Sequence, residues 1–195
     1  MTNSDAADTR TRILDEAERL FRVYGYAKTT VADIASACAM SPSNVYRFFA
    51  TKADINSAIC ERILLEKVRR MAVIAGRDAS ASDRMAALTH DLYSYTLETL
   101  LDEKKVHEMV VVALEEHWSV IEEHLYRMTE IIERVIADGV KSGEFRPQDT
   151  VTAARNVMTT LIAFNHPTIM AQCLRYQQRT MPEEIIPFIL AALKA

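Results

Sequence analysis

Glycine and proline are scarce, four and five residues in a chain of 195. A sandwich or barrel of short strands needs turn residues far more often than that, and no stretch sustains apolar–polar alternation, so a strand-rich fold is not expected. Cysteine occurs three times, at Cys38, Cys60 and Cys173. The number is odd and the spacing wide, which argues against a disulfide framework or a paired-cysteine metal motif. Each thiol has apolar helical neighbours and is expected to behave as a small hydrophobe rather than a redox sensor. There is no Gly-rich phosphate loop and no nucleophile elbow. No apolar run reaches membrane-spanning length and no charged-then-apolar leader opens the chain, so a soluble cytoplasmic protein is expected. Among the histidines, only His107 has a carboxylate, Glu103, at helical chelating distance. His117 and His124 stand seven residues apart, about 10.5 Å along a helix, too far to grip one ion. No metal, cofactor or catalytic residue is expected.

What the chain does have is apolar residues at helical spacing over most of its length, which predicts an all-α fold. Met1 to Asp8 reads as a loose arm. A first helix carrying Ile13, Leu14, Ala17, Leu20 and Phe21 should end near Tyr24, at Gly25. A helix from Lys52 should run to about Ile74 and stop at Gly76, with 76–82 as a linker. Beyond it, Met85, Leu88, Leu92 and Tyr95 mark one helix, and Val106, Met109, Val110, Ala113 and Leu114 a shorter one. Trp118, Ile121, Leu125, Met128, Ile132 and Val135 form the clearest stripe, ending near Gly143. Asp149 or Thr150 should cap a helix through Phe164, broken by Pro167. Two more should follow, about 168–179 and 183–193.

The densest chemical information lies between Thr29 and Lys52, where three helix starts are packed together. Thr30 with Asp33 has capping-box spacing, so a short helix should begin at Val31. Ser41 should cap a second helix with Pro42 at its first position, and Thr51 with Asp54 repeats the box for the helix from Lys52. Two short helices about a tight turn at Cys38 to Met40 make a helix-turn-helix, whose second helix enters the DNA major groove. At about 100° per residue, Val45 and Phe49 share one side of that helix, while Ser43, Asn44, Tyr46 and Arg47 spread over the other. One side is core and the other is available to read. Asn44 suits an adenine edge, and Arg47 a guanine or a phosphate. Tyr46, Thr30 and Lys52 suit phosphates, which fix register without reading sequence. Ser41, Pro42 and Ser43 open the helix beside them.

The formal net charge of −4 and pI near 5.8 do not describe a non-specific nucleic-acid binder. The charge is divided, however. Residues 1–70 hold eleven Lys and Arg against nine Asp and Glu, and the remainder twelve against eighteen. The small basic excess falls on the reading head.

With its first-helix stripe, Gly25, Thr29-Thr30-Val31, Ile34-Ala35, the Tyr46-to-Phe49 run and Lys52, the segment from Thr9 to Arg70 resembles the N-terminal DNA-binding domain of the TetR family of bacterial transcriptional regulators. The family often has Gly in the turn where this chain has Ala39. A left-handed residue there would cost alanine about 1 kcal/mol, so either the turn differs slightly or the cost is tolerated. The resemblance covers roughly the first third of the chain. It implies a three-helix DNA-binding domain at 9–70, with the helix-turn-helix at about 31–50, and a larger helical effector-binding and dimerisation domain at 82–195.

The segments 151–164 and 183–193 are apolar on too many sides for solvated helices. In the family, helices in these places pair across a two-fold axis, so a homodimer reading a pseudo-palindromic double-stranded operator is expected. The resemblance also implies a small-molecule cavity among the central helices. Its candidate lining is Met85, Tyr93, Met109, Trp118, Leu125, Met128, Met158 and Phe164, although Met and aromatic stripes at helical spacing are ordinary core more often than not. The expected function is a ligand-responsive transcriptional repressor that works by conformational coupling and not as an enzyme. Two other readings fit the same pattern: a helical small-molecule-binding protein without DNA binding, and a constitutive DNA-binding protein without an effector.

Overall fold

A computed structural model describes residues 3–99, 108–113, 118–176 and 179–194. All regular structure in the described residues is helical. The chain divides into two compact units, Met1–Ile63 with Leu101–Ile121, and Leu64–Leu100 with Glu122–Ala195.

The first unit contains α1 (Asn3–Tyr24), α2 (Val31–Ala37), α3 (Pro42–Tyr46), the first part of α4 (Lys52–Ala75) and a short helical segment at 108–113. The α1 stripe does what its spacing predicts. Ile13, Ala17 and Phe21 are wholly buried, together with Ile34, Ala35, Val45, Ile55 and Ile59. Gly25, at φ 91°, ends the helix by donating its N–H to the Phe21 carbonyl at 3.0 Å. Arg62 of α4 bridges to Asp15 and Glu18 of α1 at 2.6 and 2.5 Å. The expected loose arm is overturned: α1 starts at Asn3, so residues 3–8 are helical.

Residues 108–113 and 118–121, assigned by sequence to the larger domain, group by contact with the first unit. Met109 is buried in that unit's core, and Asn56 donates to the Met109 carbonyl at 2.9 Å. Local periodicity cannot reveal this, because docking is a long-range choice. Val106 and Leu114 of the predicted short helix lie outside the described residues.

The second unit contains the rest of α4, α5 (Ala81–Thr99), α6 (Trp118–Ser142, from Glu122 on), α7 (Thr150–Thr160), α8 (Ile162–Asn165), α9 (Pro167–Cys173) and α10 (Pro182–Lys194). Met71, Met85, Leu88, Leu92, Met128, Ile132, Val135 and Ile136 form its core. Glu144 accepts from the backbone N–H groups of Ala81 and Ser82 at 2.7 and 2.9 Å, capping α5 from a distant loop. Asp149 caps α7 as predicted. The helix expected to run unbroken to Phe164 is interrupted at Leu161, where ψ rises to 7°. Thr159 and Thr160 donate hydroxyls back to the Arg155 and Asn156 carbonyls, a competition for acceptors that bends helices. The helix predicted for 168–179 ends at Cys173.

Candidate nucleic-acid interface

The α2–α3 region is built by its caps. Thr30 Oγ1 accepts from the Asp33 N–H at 3.1 Å, and Asp33 Oδ2 accepts from the Thr30 N–H at 2.8 Å. The Thr30 hydroxyl also donates to Asp33 at 2.6 Å, which holds that carboxyl below its usual range. Thr51 and Asp54 repeat the reciprocal pair at 2.8 and 3.0 Å. At the end of α2, Met40 N–H bonds to the Ala35 carbonyl and Ala39 N–H to that of Ser36. That is a Schellman ending, and Ala39 occupies its left-handed position at φ 52°. The turn therefore keeps the geometry that glycine usually supplies.

Helix α3 is only five residues long. Ser41 occupies the N-cap position, but its hydroxyl makes no cap bond and instead pairs with Ser43 Oγ at 2.9 Å. That expected cap bond is corrected: the neighbouring hydroxyl wins the serine. Pro42 stands at the first helical position. Val45 and Phe49 are buried as phase predicts, and Phe48 packs against the same core from the flank. Ser43, Tyr46 and Arg47 are exposed. Asn44 is half-buried, its Nδ2 directed at Met40 Sδ at 3.9 Å. Burial of one side thus leaves a hydroxyl, a phenol and a guanidinium on the other.

Lys52 is placed differently from a simple surface cation. Its ammonium donates to the carbonyls of Tyr26 and Thr29 at 2.9 and 3.0 Å and lies 4.1 Å from the centre of the Tyr26 ring. Burial lowers its pKa, partly countered by Glu108. Lys52 fastens the loop that delivers α2. Sequence reasoning missed three supports. The Glu108 carboxylate accepts from Ala27 N–H at 3.1 Å, Asn56 holds Met109, and the Arg10 guanidinium lies over the Phe49 ring at 4.8 Å. None of these pairings leaves a local signal, because each joins residues far apart in the chain.

In the second unit, Met85, Met128 and Phe164 are buried in one core, with Tyr93, Leu125 and Met158 packed against it. The Tyr93 and Phe164 rings meet edge to face at 5.2 Å. The other two expected lining residues lie elsewhere. Met109 belongs to the first unit's core, and Trp118, at the start of α6, is half exposed. The structure adds a residue that sequence reasoning passed over. Lys67 falls in the α4 stripe with Ile63, Met71 and Ile74, is 4% exposed, and donates to the backbone and side-chain oxygens of Asn165 at 2.8 and 3.0 Å. A lysine in phase with an apolar stripe was the available signal. Glu103, His107 and His117 lie outside the described residues, and His124 is buried.

The thiols differ in setting. Burial raises the Cys38 thiol above its ordinary value, and burial followed by the Glu18 charge pushes Cys60 up to about 11. Neither is poised as a thiolate. Among the described residues no helix is long and apolar enough to cross a membrane.

Residues 13–59 match the family described as "Bacterial regulatory proteins, tetR family", and residues 81–186 match "Tetracyclin repressor-like, C-terminal domain". The chain is 36% identical to the HTH-type transcriptional regulator TtgR of Pseudomonas putida over 62 residues, 32% of this chain and 30% of that one. It is similar in structure to a transcriptional regulator of the TetR/AcrR family from Thermobifida fusca, with TM-score 0.69 and 25% identity over 95% of this chain and 96% of the other. It also shares its fold with FadR from Bacillus subtilis, solved in complex with stearoyl-CoA, with TM-score 0.69 and 19% identity over 93% and 97% of the two chains.

Proposed function

Because the chain belongs to the TetR family of bacterial transcriptional regulators, we propose that it is a homodimeric repressor, released from a pseudo-palindromic operator when a small molecule binds its larger unit. It is a sequence-specific DNA-binding regulator of transcription. The observation that carries the finer reading is the division of α3. Val45 and Phe49 anchor it, and Ser43, Tyr46 and Arg47 are left exposed on its other side. Arg47 reads a base edge, while Tyr46, Ser43 and the Pro42 end of the helix hold phosphates. Thr30 and Lys52 are already engaged, so their contribution is to position the head.

Dimerisation through α7, α8 and α10 is supported by large apolar residues exposed on them. Val151 is 47%, Ile162 45% and Phe188 63% exposed. A two-fold partner would cover that surface and set the two recognition helices about 34–36 Å apart, one turn of DNA. The core around Met85, Met128 and Phe164 is where a small molecule would be enclosed, and FadR, which shares the fold, was solved in complex with stearoyl-CoA. Ligand can release DNA only by as much as it prefers the state that does not fit the operator.

Selection of bound fragments from random DNA tests the reading. An inverted repeat should emerge at moderate salt, and candidate ligands should lower its occupancy. Failure to recover any palindrome removes the operator proposal. A palindrome indifferent to every ligand leaves a constitutive DNA-binding protein.

A further inference from the structure

Lys67 is a buried cation in an apolar surrounding. Leu64, Val68 and Met71 flank it on α4 and pack into the core of the second unit. Its two acceptors, both from Asn165, are neutral, and among the described residues no carboxylate lies within ion-pair distance of it. Neutral acceptors satisfy N–H groups but leave the charge uncompensated, and an uncompensated buried charge is costly. Other cations of this unit do have partners: Arg70 is held by Asp91 at 2.5 Å, and Arg84 by Asp138 at 2.9 Å. The second unit holds another unfinished group. Thr96, 1% exposed and one helical turn beyond Tyr93 on α5, has a hydroxyl with no hydrogen-bond partner among the described residues. Tyr93 in turn meets Phe164, the neighbour of Asn165.

We propose that Lys67 is the anion-binding end of the effector site, and that the effector is an apolar molecule bearing a single carboxylate. This rests on the ligand-responsive reading above and specifies its ligand. One ammonium balances one negative charge, whereas a phosphate dianion would bring a second into a core with no other free cation among the described residues. The apolar body of the ligand lies against the Met and Leu side chains, and the Thr96 hydroxyl gains a partner. Burial lowers the Lys67 pKa to about 7, and the same ammonium, after desolvation, holds the His166 pKa down. A carboxylate placed beside Lys67 therefore draws a proton onto it.

Calorimetry with octanoate and 4-phenylbutyrate, set against octanamide and 4-phenylbutanamide, tests the assignment on the full-length protein. Each acid should bind roughly tenfold to a hundredfold tighter than its amide. Titrations at pH 7 in two buffers of different ionisation enthalpy should show net proton uptake, because burial lowers the Lys67 pKa to about 7 and the carboxylate raises it again. Lys67→Met, close in volume, should erase both the preference and the uptake. The proton measurement needs no variant and so stands even if Lys67→Met misfolds. Equal affinity for acid and amide, no acid binding, no proton uptake, or a preference that survives in Lys67→Met each overturns the assignment. Operator release separates the two readings. Amides that release DNA while acids do not would leave the responsive regulator intact and remove Lys67's role. Acids that bind at Lys67 without releasing DNA would do the reverse.

Discussion

The buried side-chain amide of Asn56 donates a 2.9 Å hydrogen bond to the backbone carbonyl of Met109, 53 residues further along the chain. A late segment is thereby fastened into the core beneath the reading head. Asn56→Ala leaves that carbonyl without its donor, a loss of about 1–2 kcal/mol. The low end of the usual range applies, because the Asn56 oxygen is itself buried without a partner and its removal offsets part of the cost. Urea unfolding should show the drop. A midpoint equal to the parent's would mean that the bond contributes nothing.

Ala39 pays for a left-handed backbone at φ 52° in the turn between α2 and α3. Ala39→Gly relieves the strain but loosens the unfolded chain, and the first effect is the larger. A net gain of roughly 0.5–1 kcal/mol is expected in thermal or chemical unfolding, with operator preference unchanged. Destabilisation would contradict the assigned turn geometry.

Gly139 lies against the Phe145 ring, where an added Cβ would come within 2.2 Å of Cδ2 and 2.9 Å of the Ala81 Cβ. Alanine favours a helix interior by about 1 kcal/mol, but overlap with a buried aromatic costs more. Gly139→Ala should therefore lose roughly 1–2 kcal/mol net. Unfolding curves that show a gain would mean Phe145 moves aside freely.

Arg47 and Lys52 should fail in different ways. Arg47→Ala should leave the unfolding midpoint alone and cost roughly 1–3 kcal/mol on the preferred operator, with relaxed selection at one position per half-site. Lys52→Met removes a donor to two backbone carbonyls, so it should lower stability by roughly 1–2 kcal/mol and weaken all DNA sequences alike. Binding measured across an operator library decides. Uniform loss for Arg47→Ala would make it a phosphate contact.

The pH dependence of stability should carry the mark of Lys67. Its folded pKa, about 7, lies below the ordinary 10.5, so between those values the unfolded chain binds the extra proton. Stability then rises with pH from 7 upward, by at most about 1.4 kcal/mol per pH unit. Below 7 the full penalty of the buried charge applies. His166 beside it, lowered chiefly by burial, adds a loss as pH falls below 6.5. Arg70 on α4, its pKa raised by the hydrogen bonds to Asp91, keeps its charge throughout this range. Denaturation at pH 7 and 9 should show the rise in the parent, and Lys67→Met should flatten it. Identical slopes in the two proteins would place the titrating group elsewhere.

The reciprocal caps at Thr30 and Thr51 and the phase of α3 were legible in the sequence, because each depends on residues within a few positions of one another. Thr30 with Asp33, Val45 with Phe49 and the Gly25 stop are local chemistry, and they carry the family with them. Tertiary structure decided the rest. It took Lys52 into the loop carbonyls, drew Met109 away from the other expected ligand contacts, left Trp118 half exposed and buried Lys67 without a counter-charge among the described residues. The reason is that a side chain's partner, unlike its helical phase, is chosen by whatever distant segment packs against it. Sequence thus determined how each helix begins, ends and turns its apolar face, and packing determined which polar groups those faces enclose.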